Sequence, residues 1–298
     1  MLDRASTFAD PGIVSDLKSK YIPVAIDQAY QRRQKDAEGD FYRKIAGQGP
    51  RNNFRGTTQG LYIAAPDGTL LGYNNNRGSD RVKRFMADAM GNYKPGKVAA
   101  ITPGKPDARY NPKPPEGGFV VRVQARVLGG YEESSDKWRK IFQNAVSRDN
   151  MWVSKSEHRE LVRGKFPRSL QERLARFHLV DNTRGEPPMW KPEAIRKLNL
   201  KLDGHTIEGT AHLETQNNQR GYKAELLGVI ETARGKVTRF DLVAKGDFWG
   251  EGTYTRNAPK GKFPLAISFT LADGSDVADG IPPQGSRGWV QGYIKESR

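Results

Sequence analysis

The amino-acid sequence predicts an α+β protein with an α/β front, a short helical segment and an antiparallel, β-rich back. Helix and strand patterns alternate over residues 1–92, and the chain past residue 195 reads as strands separated by glycine-containing turns. Between them, residues 93–118 are dense in proline and glycine, which breaks regular structure. We therefore predict a first domain over 1–92, a linker over 93–118 and a second domain over 119–298.

The first domain is predicted to open with a helix, because Asp10 can cap it and Pro11 suits its first position. Apolar residues at helical or alternating spacing predict the elements that follow: a buried strand over 21–27, a helix over 36–47, a hairpin of strands 61–65 and 70–73, and a helix over 81–90. Pro66-Asp67-Gly68 suits the hairpin turn. This order of elements predicts an α/β domain.

Two stretches of this domain resemble thioredoxin-like proteins. Phe8-Ala9-Asp10-Pro11 followed by 21–27 resembles the F-x-D-P-x-V … F-V-x-V-x-V-D pattern that follows the redox motif of that superfamily. Residues 65–71 resemble its P-D-G-x-x-L hairpin. The resemblance implies an incomplete thioredoxin-like domain over 1–92. The C-x-x-C pair and the strand ahead of it are missing, and Thr57-Thr58-Gln59 lies where the family has its cis-proline.

The chain contains no cysteine, which excludes thiol–disulfide exchange, because a thiolate pair is the nucleophile and leaving group of that reaction. Disulfides and thiolate metal ligands are excluded for the same reason. We expect a cytoplasmic protein if Met1 is the native start, and an exported one if a signal peptide has been removed. No apolar run reaches the roughly 18 residues that a membrane span needs.

The second domain is predicted to begin with a strand over 119–128 and a helical segment. Within that segment, Ser154 and Glu157 have the form of a capping box, and a further helix is predicted over 167–179. Seven strand patterns follow: 198–202, 207–214, 223–231, 238–244, 250–254, 265–271 and 288–294. Their regular spacing predicts an antiparallel sandwich or a barrel-like sheet.

The densest polar segment, residues 176–190, is the first candidate site. His178 and Asp181 are three residues apart on a predicted helix, where a base and its orienting carboxylate can touch. With Glu186 they are the candidate catalytic residues of a hydrolase. The candidate binding residues of the segment are Arg176, Asn182, Arg184 and Trp190. In the structural alternative, Asp181 and Asn182 end the helix, while Arg184 and Glu186 form a supporting ion pair.

A second candidate cluster contains Asp241, Trp249 and Glu251. Trp249 can offer a stacking platform to a sugar or a base, and the glycines around it suit a bulge or a tight turn. Arg239 and Asp241 share one face of a predicted strand, so we expect them to neutralise each other. In the alternative interpretation, Trp249 covers the end of a β core.

No metal or cofactor site is indicated by the motifs of the chain. The four histidines lack the spacing of metal ligands; they are His158, His178, His205 and His212. No Walker loop, dinucleotide fingerprint or nucleophile elbow occurs. We therefore expect no metal and no cofactor.

The net charge of +15 lies mainly in the front and middle of the chain. Basic residues exceed acidic ones by 6 over 1–100, by 8 over 101–200 and by 1 over 201–298. Residues 137–176 hold eleven basic residues against four acidic ones, with aromatic residues between them. This pattern favours a polyanion or nucleic-acid surface. In the competing interpretation, the aromatic residues fall at helical spacing and belong to the core.

Together these observations predict a non-redox binding or structural protein whose partner is a protein or an anionic ligand. The 176–190 segment and the Trp249 loop would then face a shared cleft. Two alternatives stay open: a polyanion- or nucleic-acid-binding protein, and a hydrolase with a histidine–carboxylate site at 178–186.

Overall fold

A computed structural model describes residue 3, residues 6–98, residue 100 and residues 102–295. The described chain divides into two compact units. The N-terminal unit contains the described residues of Asp3–Lys113 together with Arg287–Trp289. The C-terminal unit contains Pro114–Ser286 and the described residues from Val290 onward. None of the described helices is both long enough and apolar enough to cross a bilayer.

The N-terminal unit consists of helices and one hairpin. Its elements are α1 (Pro11–Lys20), α2 (Gln28–Gln31), α3 (Ala37–Gly47), β1 (Leu61–Ala64), β2 (Leu70–Asn74) and α4 (Ser79–Asn92). As predicted, Asp10 caps α1 by accepting hydrogen bonds from the backbone of Gly12 and Ile13. Ile13 packs with Val82 and Met86 of α4 in a small apolar core. The antiparallel hairpin β1–β2 agrees with the sequence prediction.

Residues 21–27 do not form the predicted buried strand. Ile22 is 91% exposed and Val24 is 76% exposed, and the sheet of this unit contains only β1 and β2 among the described residues. An alternating β-branched run becomes a strand only where a neighbouring strand satisfies its backbone groups. The strand on which the resemblance depended therefore has no sheet to join. A thioredoxin-like fold is not supported.

The C-terminal unit consists of strands with helices between and after them. Its elements are β3 (Phe119–Val127), α5 (Lys137–Asn144), β4 (Asp149–Val153), α6 (Lys155–Val162), α7 (Arg168–Arg173), β5 (Ile195–Asp203), β6 (Thr206–Glu214), β7 (Gly221–Ala233), β8 (Lys236–Trp249), β9 (Lys262–Leu271) and α8 (Val290–Lys295). The predicted capping box opens α6, with Ser154 as cap and Glu157 reaching back to its backbone. A π-helical turn, Leu174–His178, follows α7 directly.

The described strands of this unit form one antiparallel sheet of seven strands, in the order β4-β3-β9-β8-β7-β6-β5. Because β4 and β5 are its two edges, the strands do not close into a complete barrel, and they belong to one sheet and not to the two sheets of a sandwich. Residues 250–254 form a loop, which starts at Gly250 with φ +80°. Residues 288–294 run into α8, where Val290 and Tyr293 are buried at helical spacing. Both predicted strands are wrong, and β4 was missed.

One face of the sheet is covered and the other faces outward. On β8, Phe240, Leu242 and Ala244 are buried in a core shared with α6, α7 and the segment after the π-turn. Val243, on the opposite face, is 44% exposed. This alternation is the period-two pattern of a strand with one buried face.

Glycines let neighbouring strands of the sheet approach closely. A β-carbon at Gly246 would lie 1.9 Å from the Lys223 carbonyl oxygen, and one at Gly228 would lie 2.2 Å from that of Asp241. No side chain fits at such distances, so these positions require glycine unless the backbone moves. Such glycines are where a sheet bends.

We expect Gly246→Ala to lower the free energy of unfolding of the full chain by about 1–3 kcal/mol, because the added methyl group must displace backbone. Gly280→Ala is the matched control, since a β-carbon there meets nothing within 4 Å. Urea unfolding of both variants measures the difference. Equal stabilities would show that the close approach at Gly246 does not constrain the sheet.

Candidate functional site

Residues 176–190 lie at the end of the sheet where β6 and β8 finish and β5 and β7 start. The segment folds back on itself, because Trp190 donates its backbone N–H to the Arg176 carbonyl at 3.0 Å. The Trp190 indole N–H donates to the Leu179 carbonyl at 2.7 Å. The buried polar residues of the segment are His178, Asp181, Asn182, Thr183 and Arg184. The segment is therefore an ordered, interior part of the unit.

His178 connects β4 with α8. Its Nε2 lies 2.6 Å from the Tyr293 hydroxyl, and its Nδ1 lies 3.2 Å from a carboxylate oxygen of Asp149. Asp149 also accepts a hydrogen bond from the backbone of Gln284. Burial raises the pKa of the Tyr293 hydroxyl, which keeps that hydroxyl neutral. His178, Asp149 and Tyr293 are buried, and their contacts join β4 to α8 in the interior of the unit.

Asp181 and Arg184 form a buried ion pair. Arg184 Nη2 lies 2.6 Å from Asp181 Oδ2, and both side chains are 1% exposed. The other Asp181 oxygen accepts hydrogen bonds from the backbone and hydroxyl of Thr183. Arg184 also donates to the Thr255 carbonyl and to the Tyr131 hydroxyl. Arg184 therefore ties the segment to the loop that follows β8.

The three catalytic candidates have separate surroundings. His178 is held by β4 and α8, Asp181 is held by Arg184, and Glu186 is exposed. In the described structure, His178 and Asp181 do not make the predicted base–carboxylate contact. The two binding candidates beside them also have internal partners: Arg176 donates to the Trp190 carbonyl at 3.3 Å, and Asn182 donates to the Gln284 side chain at 3.4 Å.

Sequence reasoning missed a second buried ion pair, between Arg173 and Glu157. Burial opposes the ionisation of Glu157, but the Arg173 guanidinium and hydrogen bonds from Ser154 and Ser169 outweigh burial, so the pKa of Glu157 lies below its usual value. The capping-box pattern identified Glu157. It gave no sign of Arg173, which comes from the next helix.

Trp249, at the end of β8, packs against the backbone of Gly221. A β-carbon at Gly221 would lie 2.0 Å from the indole. The indole N–H donates to the Asn218 carbonyl at 3.0 Å, and Lys262 Nζ lies 5.2 Å from the ring centroid. In the same loop, Glu251 accepts a hydrogen bond from the Ala258 backbone at 3.2 Å.

Asp241, the remaining member of the second cluster, lies apart from Trp249. Arg239 Nε is 2.5 Å from an Asp241 carboxylate oxygen, which is the neutralising contact that the sequence indicated. Eight positions along β8 separate Asp241 from Trp249, or roughly 26 Å at the rise of a strand. Asp241 therefore does not belong to a site at Trp249.

Three segments meet at this end of the sheet, and we name residues 187–190, 215–221 and 249–252 the strand-end site. A β-carbon at Gly252 would lie 2.3 Å from Pro188, and one at Gly250 would lie 2.1 Å from the Gln219 carbonyl. The guanidinium carbon of Arg220 lies 3.8 Å from the centre of the Trp190 ring. The structure thus brings together Trp190 and the Trp249 loop. It adds Arg220, which no sequence pattern singled out because it lies in a polar turn without a recognisable motif.

The described residues contain no group of three or more metal-ligating side chains that could hold a metal ion. No protein-family model, curated protein or solved structure matches this chain. The geometry of the strand-end site is therefore the basis for any functional assignment.

We expect Glu157→Gln to lower the free energy of unfolding near neutral pH by about 3–5 kcal/mol, because Arg173 is left buried without a counter-charge. Folding lowers the pKa of Glu157 from its ordinary value of 4.5. The stabilisation is therefore present above the unfolded-state pKa and disappears as the pH falls through the folded-state pKa. Thermal unfolding between neutral and acidic pH measures both effects.

Glu160→Gln, an exposed carboxylate on the same helix, is the control for the loss of one acidic group. It should change stability little at any pH. A Glu157→Gln deficit that persists unchanged at acidic pH would show that the ion pair is not its source.

Proposed function

We propose that this chain is a non-catalytic binding protein that holds a ligand at the strand-end site. The observation that carries the proposal is the meeting of two tryptophan-bearing segments at one end of the sheet, each with a cation over its indole ring: Arg220 over Trp190 and Lys262 over Trp249. Trp190 is 1% exposed and belongs to the core under the site, whereas Trp249 is half-buried and is the indole that a ligand would contact. Indole rings are large, rigid contact surfaces and are common in binding sites. Because glycines fix the close contacts between the segments, the site is formed before a ligand arrives.

The polar groups near the site support binding in preference to turnover. A general base must come within hydrogen-bond reach of its substrate. His178 and Asp181 are instead buried and engaged with Tyr293, Asp149 and Arg184. Their contacts favour a structural role, so the hydrolase alternative has less support than binding.

We expect a ligand of the strand-end site to raise the melting temperature of the full chain and to be recovered chemically unchanged. Trp249→Ala should weaken its binding roughly thirtyfold, the loss typical of an aromatic residue central to an interface. A small-molecule thermal-shift screen, followed by titration calorimetry and mass spectrometry of the recovered ligand, tests this. Trp138→Ala is the matched control, since Trp138 is a 38% exposed indole on α5.

Two outcomes contradict this proposal. A ligand recovered in converted form would show turnover. Equal affinities in the Trp249→Ala and Trp138→Ala variants would place the ligand elsewhere.

A second candidate function is polyanion binding, and the basic surface of α6 favours it. The exposed basic residues of α6 and of the turn after it are Lys155, Arg159, Arg163 and Lys165, and none forms an ion pair with a carboxylate in the described part of the chain. His158 accepts a hydrogen bond from the Val237 backbone at 3.0 Å, which adds the exposed Lys236 to the same neighbourhood. Trp152 and Phe166 are buried, so the aromatic residues of this stretch that lie beside α6 belong to the core.

If α6 binds a polyanion, the logarithm of its affinity for a labelled DNA duplex should fall linearly with the logarithm of the salt concentration. The slope should be about −0.9 for each phosphate that the protein neutralises. The double variant Arg159→Ala/Arg163→Ala should bind more weakly and with a shallower slope. Arg126→Ala/Lys245→Ala, which removes two exposed charges from the outer face of the sheet, is the control. Fluorescence anisotropy across a salt series measures this, and salt-independent binding would rule it out.

A further inference from the structure

We propose that Arg220 is the anchor for an oxyanion group, a carboxylate or a phosphate, of the ligand held at the strand-end site. The inference depends on the proposed binding function and adds the chemical class of the ligand. It comes from one feature of the C-terminal unit: Arg220 is 7% exposed, and its positive charge has no counter-charge in the described part of the chain.

The other fully buried arginines of the unit show what Arg220 lacks. Arg173 forms an ion pair with Glu157, and Arg184 forms one with Asp181. No carboxylate of the described residues lies within ion-pair distance of Arg220, and its buried Nε has no hydrogen-bond partner. Buried charges in folded proteins are ordinarily paired. The missing partner is therefore expected to be an anionic group of the ligand.

The environment of Arg220 leaves its charge in place. Burial lowers the pKa of the guanidinium to about 10, and no neighbouring charged group contributes to that shift. Arg220 is therefore a cation at neutral pH. Its only close electrostatic contact in the described structure is the face of the Trp190 ring.

Stacking on Trp190 leaves the hydrogen-bonding edge of the guanidinium unused. The Trp190 ring is itself fixed by the hydrogen bond from its indole N–H to the Leu179 carbonyl. The donors of a guanidinium lie in its plane, in a fork that matches the two oxygens of a carboxylate or a phosphate. The buried Nε of Arg220 has no hydrogen-bond partner among the described residues. A ligand oxygen that reaches this edge would meet a donor that the described chain leaves unused.

The turn before β7 holds Arg220 in place. Its backbone N–H donates to the Thr215 hydroxyl at 3.1 Å, and its carbonyl accepts from the Thr215 backbone at 2.9 Å. A β-carbon at Gly250 would lie 3.0 Å from the Arg220 β-carbon, so the Trp249 loop packs directly against it. Little conformational freedom remains to be lost when an anion binds.

A ligand-binding role and a purely structural role for Arg220 predict opposite effects of the Arg220→Met substitution on stability. An apolar side chain such as methionine can pack on Trp190 without burying an unpaired charge. If the charge serves a ligand, Arg220→Met should leave the ligand-free protein as stable as the wild type or more so. If the charge serves the fold, the same variant should be less stable.

The experiment uses the full chain and three probes: inorganic phosphate, acetate and benzoate, each compared with chloride at equal ionic strength. Thermal shift and titration calorimetry are run on the wild type, Arg220→Met, Arg220→Lys and Arg196→Met. Arg196 is an exposed arginine on β5, so its variant has the same net charge as Arg220→Met. The phosphate and carboxylate arms identify which oxyanion is preferred.

We expect at least one oxyanion to raise the wild-type melting temperature above the chloride control. Arg220→Met should lose that affinity roughly tenfold or more, and Arg220→Lys should lose part of it because it keeps the charge without the fork. Arg196→Met should bind as the wild type does.

The outcomes separate this inference from the proposed function. If ligands bind at Trp249 but Arg220→Met binds them equally well, the oxyanion anchor is refuted and the binding function stands. If no oxyanion binds the wild type and Arg220→Met is less stable, Arg220 is structural and the inference is refuted. Should Arg220→Met fail to fold, the wild type and Arg220→Lys test the inference instead. A wild type that no oxyanion stabilises above chloride, or an Arg220→Lys variant that binds as tightly as the wild type, would refute it.

Discussion

Charge buried in the C-terminal unit is the constraint on which the rest of its structure depends. Arg173, Arg184 and Arg220 are all less than a tenth exposed, and an unpaired ion inside a protein is unfavourable by several kcal/mol. Arg173 is matched by Glu157 at the start of α6, and Arg184 is matched by Asp181 within its own segment. These two pairs fix the helices and the 176–190 segment against the sheet.

The same constraint gives the strand-end site its character. Arg220 comes from the turn before β7, Trp190 from the end of the polar segment, and the Trp249 loop from the end of β8. Gly221, Gly250 and Gly252 allow these segments to touch, because a β-carbon at each would overlap a neighbour. The result is a cation stacked on an aromatic ring, held rigidly, whose buried Nε has no hydrogen-bond partner among the described residues. Every candidate residue nominated from sequence lies in this C-terminal unit.

Local signals in the sequence were sufficient for local structure. The Asp10-Pro11 start of α1, the capping box of α6 and the β1–β2 hairpin each depend on residues a few positions apart, and each formed as predicted. The contact between Asp181 and Arg184 is also local. It pairs Arg184 with Asp181, whereas the structural alternative had paired Arg184 with Glu186 and placed Asp181 at the helix end.

Contacts between distant residues could not be predicted in this way. His178 meets Tyr293 across 115 positions, and Arg220 meets Trp190 only after the sheet has assembled. Residues 21–27 failed for the opposite reason. Their β-branched pattern is that of a strand, but a strand also needs a neighbour, and Ile22 and Val24 are exposed instead. The spacing of apolar residues specifies which face can be buried, and it does not specify whether a partner is present.

A crystal structure grown with selenate tests the central claim most directly, because anomalous scattering locates selenium without ambiguity. The account predicts a selenate whose oxygens lie about 2.7–2.9 Å from the Arg220 guanidinium nitrogens, the distance of a charge-assisted hydrogen bond. Selenate absent from Arg220, with its guanidinium paired to a carboxylate of the same chain, would contradict the account.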